Sequence, residues 1–182
     1  MVEKTDKSVS DAASLAATAK AASKRGPAPV HLWNPPFCGD LDMEIRRDGT
    51  WFYNGTPINR PEMVRLFSTI LKREDDKYFL VTPVEKVGIR VQDAPFIAID
   101  VDFDAESLIF TTNVGERIVA GPENALRIAG NDDEPRPYLH VRRGLEALID
   151  RKTFYRLADR AVPGPDGRLG LSSQGIWLPL EP

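Results

Sequence analysis

"EKVGIRVQDAPFIAID", residues 85–100, starts as a strand and is then interrupted twice. Val87, Ile89 and Val91 alternate with Gly88, Arg90 and Gln92, the period of a half-buried strand. Asp93 and Pro95 stop that pattern, and residues 96–99 open a second apolar run at once. A proline there removes a ladder donor and forces an extended entry. One sheet is therefore expected to end and another to begin within a few residues, which makes this stretch a seam between two units.

Upstream of the seam the elements form one group. "MEIRRDGTWFY" reads as a hairpin, with Met43 and Ile45 alternating, Asp48-Gly49 turning, and Trp51 and Tyr53 returning. Asn59 is placed to cap a helix with Pro61 in its first turn, and Met63, Val64, Leu66, Phe67, Ile70 and Leu71 form its apolar face. "KYFLVTP" and "EKVGIRV" supply two more strands, giving hairpin, helix, hairpin from about residue 40 to 92, within an N-terminal α+β unit of residues 31–92. Residues 1–30 differ in kind: Ala- and Lys-rich, with Leu15 the one large aliphatic side chain after Val9 and before Val30. A short helix capped by Ser10 and ended by Gly26-Pro27 is marginal without an apolar stripe, so the segment is expected to be a flexible tail.

Downstream, residues 93–182 carry strands at 96–103, 108–112, 117–120 and 126–129, an acidic loop, two further strand-like pieces, a helix and a closing hairpin. Parts of this half resemble the first. Ile45-Arg46-Arg47 matches Val141-Arg142-Arg143, Arg60 to Leu66 matches Arg151 to Leu157, and Val87-Gly88-Ile89 matches Gln174-Gly175-Ile176. The expected fold is α+β: duplicated hairpin–helix–hairpin units, the C-terminal one with a larger antiparallel sheet and a helix.

Composition sets limits. A net charge of −3 over 182 residues leaves no electrostatic footprint for nucleic acid or an anionic membrane. One cysteine, Cys38, fits a reducing compartment, and no apolar run approaches the roughly 20 residues that span a bilayer. A cytoplasmic location is expected, without a membrane or nucleic-acid partner.

The candidate motifs are few. "IDVDFD" sets Asp100, Asp102 and Asp104 on one strand face, but Ala105 and Thr111 stand where a calcium loop needs Gly and Glu, so a solvated face is favoured. "GLSSQG" fails the glycine spacing of a nucleophile elbow and reads as a turn. Two histidines, His31 and His140, with one cysteine cannot make a zinc site by themselves, so no metal is expected. There is no glycine-rich phosphate loop and no cofactor is expected. An anion would have to be held by side chains, for which Arg60, Arg117, Arg142, Arg143 and Arg151 are candidates; the competing reading pairs them with local acids.

Residues 33–96, from "WNPPFCGDLDMEIRRDGTWFY" through "VEKVGIRVQDAPF", together with "TTNVGERIVAG", "PYLHVRRGLEALIDRKTFYRL" and "GLSSQGIWLPL", resemble the bacterial family called domain of unknown function 1285. The resemblance implies a duplicated core whose C-terminal half superficially resembles a pleckstrin-homology-like fold. It also implies a nucleotide-like ligand between the halves and a role in signal transduction. Carried over by motif, "TPVEK" contributes Glu85 and Lys86, "VQDAPF" contributes Asp93, Pro95 and Phe96, "TTN" contributes Thr112 and Asn113, and "VRRGLEALIDR" contributes Arg142, Glu146 and Arg151. The chain departs from the family pattern at Asn124-Ala125, where His-Pro is usual, and at Gln174, where Gly is usual.

The expectation is a protein that binds a small anionic ligand and passes a signal to a protein partner. Two other readings stand beside it: a small hydrolase-type enzyme using Glu85, Asp93 and Glu146 as its acid–base group, and a ligand-free scaffold.

Overall fold

The computed structural model describes residues 11–23 and 26–182. They divide into two compact units, one holding the described residues up to Ile45 with Thr50–Val91, the other holding Arg46–Gly49 with Gln92–Pro182.

In the first unit the alternation of Leu41, Met43 and Ile45 buries one face of β1 (Phe37–Ile45). The chain returns as β2 (Trp51–Tyr53), with Ile45 opposite Trp51, and β3 (Thr56–Pro57) extends the meander. Helix α2 (Pro61–Thr69) then leads to a second meander, β4 (Leu71–Glu74), β5 (Lys77–Val81) and β6 (Lys86–Val91). The two meanders join where β6 pairs in parallel with β1, giving the order β3-β2-β1-β6-β5-β4. Pro61 opens α2 as expected, but its cap is Arg60 and not Asn59. The face it buries is narrower than the pattern suggests, because Phe67 and Ile70 are fully enclosed while Met63, Val64 and Leu66 are half-buried. Phe67 stacks on Trp51 at 6.2 Å between ring centroids.

The expectation of a flexible tail is corrected over α1 (Ala12–Ala22). The helix packs on α2 and buries Leu15 and Ala19 completely. Alanine supplies both the helix propensity and the close approach, and neither needs a broad apolar stripe. Its cap is Asp11, whose carboxylate accepts the Ser14 N–H at 2.7 Å; Ser10, the expected cap, lies outside the described residues, as do residues 1–9, 24 and 25.

The second unit contains β7 (Phe96–Asp104), β8 (Ser107–Thr112), β9 (Arg117–Val119), β10 (Leu126–Gly130), β11 (Pro135–Arg142) and β12 (Leu145–Ile149). Their order is β10-β11-β12-β7-β8-β9, again two antiparallel meanders joined by one parallel pairing, β12 with β7. In each sheet the first strand of the first meander lies beside the last strand of the second. The architecture is therefore duplicated: α+β, two similar β-rich units with few helices. The second unit adds α3 (Arg151–Ala158), which buries Thr153 and Leu157, and a separate three-stranded sheet of β13 (Val162–Pro163), β14 (Leu169–Ser173) and β15 (Ile176–Pro179).

This topology changes the residue correspondence. The strands equivalent to β11 and β12 are β5 and β6, so residues 141–143 do not stand where Ile45-Arg46-Arg47 stand. Nor does α3 stand where α2 does, since α2 links the two meanders and α3 follows the last strand. Antiparallel pairs with tight turns look alike in sequence, and register is set by the partner strand.

The acids of "IDVDFD" lie exposed on β7, where Asp102 pairs with Arg117 at 2.9 Å and Asp100 pairs with Arg156. "GLSSQG" is the β14–β15 hairpin, with positive φ at both Gln174 and Gly175. A glycine at 174 would hold that conformation without strain.

Candidate functional site

The seam residues do their first work as structure. Asp93 precedes buried Ala94 and Pro95, and its Oδ1 accepts the Tyr138 hydroxyl at 2.7 Å. That bond ties the entry of β7 to β11. Asn113 clamps the same entry, since its backbone N–H donates to the Ile97 carbonyl at 2.8 Å and its side-chain oxygen accepts the Ile97 N–H at 3.0 Å.

From Asp93 a polar chain crosses three strands. Arg127 on β10 pairs in register with Tyr138 on β11. Its guanidinium lies 4.4 Å from the Tyr138 ring centroid and forks onto Glu146 of β12, Nε to Oε1 at 2.9 Å and Nη2 to Oε2 at 2.8 Å. Burial, and then the bond to Asp93, push the Tyr138 phenol up to about 12. The bond to Glu146 raises Arg127 above the ordinary arginine value. Arg127 keeps 55% of its side chain exposed, whereas Tyr138 keeps 4% of its surface.

A second group projects from the opposite face. Phe96 pairs with Ala147, whose side chain points away from that of Glu146 by the alternation of the strand. Arg142 lies 5.3 Å from the Phe96 ring centroid, and its Nη1 is 2.7 Å from each Glu116 oxygen. This pair is more enclosed, with side chains 15% and 25% exposed.

Of the expected site residues, Asp93, Phe96, Asn113, Arg142 and Glu146 thus gather around the start of β7 and β12, with Asp93 and Glu146 in one network and Phe96 and Arg142 in the other. Arg151 begins α3 beyond the far end of β12, so about 13 Å of strand separate it from Arg142, which pairs with Leu145. Arg60, Glu85 and Lys86 belong to the first unit. There Lys86 bonds Glu74 at 3.1 Å and lies over Phe79, Glu85 closes a turn whose N–H bonds the Thr82 hydroxyl, and Arg60 is exposed at the head of α2. Reading the sequence missed Tyr138, Arg127 and Glu116. Only the register of β10, β11 and β12 brings the first two to Asp93 and Glu146.

Groups that resemble catalysts are held by backbone. His140 Nε2 accepts the Gly144 N–H at 3.0 Å, so Nδ1 carries the proton and donates to the Glu123 carbonyl at 2.7 Å. Ser173 is buried, donating to the Ala120 carbonyl at 2.7 Å and accepting the Leu108 N–H at 2.9 Å. Among the described residues no three His, Cys, Asp or Glu side chains converge as a metal group would, and no helix is long and apolar enough to cross a membrane.

Two family models match the chain: the N-terminal domain of domain of unknown function DUF1285 over residues 28–94, and the C-terminal domain of protein of unknown function DUF1285 over residues 95–180. The chain belongs to the DUF1285 family. The boundary between the two DUF1285 models falls between Ala94 and Pro95, inside the stretch that interrupts the sequence pattern. A DUF1285 family protein from Silicibacter pomeroyi DSS-3 is similar in structure, with 62% identity and a TM-score of 0.85 over 92% of this chain and 94% of that one. Another from Shewanella baltica OS155 shares 31% identity, with a TM-score of 0.54 over 65% of this chain and 91% of that one. No curated protein matches.

Proposed function

We propose that this DUF1285 protein binds a small anionic, nucleotide-like ligand on the polar face of its second unit, and that a protein partner reads the occupied state in a signalling role. The observation that carries the reading is the state of Arg127. Its guanidinium is already oriented by Tyr138 and spends two N–H groups on Glu146, which leaves three of its five donors for an incoming anion. Glu146 is the counter-ion that a phosphate would displace, and Asp93 is an acceptor for a ribose hydroxyl or a base amine. The signalling role rests on the family resemblance alone.

A thermal-shift series with nucleotides and nucleotide second messengers tests this. At a hundredfold excess over its dissociation constant a ligand stabilises the folded state by about 2.7 kcal/mol, a rise on the order of 5–10 °C. Arg127→Ala and Asp93→Ala should abolish that rise. Arg142→Ala, on the opposite face, should lower the unliganded melting temperature and keep the ligand-induced rise. A rise lost only in Arg142→Ala would transfer the anion to the Phe96 face. Turnover of a shifting probe would favour the hydrolase reading, and no shift with any probe would favour the scaffold.

A further inference from the structure

The solvent face of the first unit's sheet carries a second polar hollow. Lys86, Gly88 and Arg90 share this face of β6; Phe79 lies opposite Gly88 on β5, with Lys77 two residues before it. On the other side Asp40 of β1 lies opposite Gly88, between two register shifts that interrupt the β1–β6 pairing. Bulges of this kind re-aim side chains. The Asp40 carboxylate fills the space that a β-carbon on residue 88 would take, so this glycine lets a carboxylate lie across the strand. The resulting hollow, about 290 Å³, is bounded by Asp40, Asp76, Lys77, Phe79, Gly88 and Arg90.

The charges on this face sort into two kinds. Glu74 is shared by Lys72 and Lys86, and Arg90 is shared by Asp42 and Glu44. Asp40, Asp76 and Lys77 make no side-chain hydrogen bond or ion pair among the described residues, and all three line the hollow. Two carboxylates and one ammonium around an aromatic wall call for a ligand with two cationic groups and one anionic group.

We infer that the hollow over Gly88 binds a basic α-amino acid, its α-ammonium and side-chain cation accepted by Asp40 and Asp76 and its carboxylate bound by Lys77. The alkyl chain between the cations would lie along Phe79. The size is at the small end of ligand pockets, as such a molecule requires. The site belongs to the first unit, and the inference does not rest on the reading of the second.

The test is thermal shift of the full chain with L-lysine and L-arginine, using L-norleucine as the probe that lacks the second cation and cadaverine as the probe that lacks the carboxylate. L-lysine or L-arginine should raise the wild-type melting temperature by about 3 °C near saturation, and the two control probes should do markedly less. Gly88→Ala should abolish the rise, because its methyl group displaces the Asp40 carboxylate from its place across the strand. The φ of Gly88 lies outside the left-handed range, and the neighbour to be displaced is a flexible carboxylate end, so folding is expected to survive. Should Gly88→Ala fail to fold, the exposed substitutions Lys77→Ala and Asp40→Asn decide the matter, each removing most of the rise. The inference is overturned if neither basic amino acid shifts the wild type, if cadaverine or norleucine shifts it as much, or if the rise survives these substitutions.

Discussion

Tyr138 shows how a single polar contact becomes measurable. Its phenol titrates at about 12 instead of 10.0, because burial penalises the phenolate and the Asp93 carboxylate needs the proton as a donor. The sign follows from linkage. Below pH 10 both folded and unfolded chains hold the proton and the stabilisation is complete; between 10 and about 12 the unfolded chain loses it first, and stability falls as pH rises. A tyrosinate absorbance titration should therefore contain a step near pH 12, and Tyr138→Phe should delete that step. The substitution should also cost about 1 kcal/mol in a urea titration, since it leaves Asp93 without its donor. Gly49 makes a different demand. Its φ is +87°, and an added β-carbon would sit 2.7 Å from Ile97 Cγ1 and 2.9 Å from Asn113 Nδ2. Gly49→Ala should lower stability by about 1–3 kcal/mol, and an unchanged denaturation midpoint would show that this turn relaxes freely.

At the scale of elements, burial separates helices that look alike on paper. Leu157 of α3 is fully enclosed and Leu66 of α2 is half-buried, although both occupy apolar positions of short amphipathic helices. Leu157→Ala should cost about 2–5 kcal/mol, and Leu66→Ala less than half of that. Leu15 in α1 belongs with Leu157. Leu15→Ala should cost about 2–5 kcal/mol, and deleting residues 1–23 should lower the melting temperature instead of leaving it unchanged. A truncated chain as stable as the full one would mean that α1 does not hold to α2 in solution.

Across the whole molecule, each six-stranded sheet is joined at its centre by one parallel pair, β1 with β6 and β7 with β12. These central strands carry the enclosed side chains Met43, Ile45, Phe96, Ala98 and Ala147. Edge strands such as β3, β4, β9 and β10 have a partner on one side only. Native-state hydrogen exchange should therefore be slowest at the amides of the central pairs and fastest at the edges. Uniform protection across either sheet would contradict this order.

The linear sequence by itself determined where the strand pattern breaks before β7. Asp93 and Pro95 break a strand period whatever the rest of the chain does, and proline's missing donor is a local property. It also determined the hairpin at Asp48-Gly49, the helix opening at Pro61 and the turn at Gln174-Gly175. Only the tertiary structure decided what the candidate site residues meet. Strand neighbours far apart in sequence set Tyr138 against Asp93 and Arg127 against Glu146, while the two-residue alternation sent Arg142 to the opposite face with Phe96 and Glu116. The docking of α1 was hidden for the same reason, since alanines and one leucine form a buried face only once α2 supplies the other side.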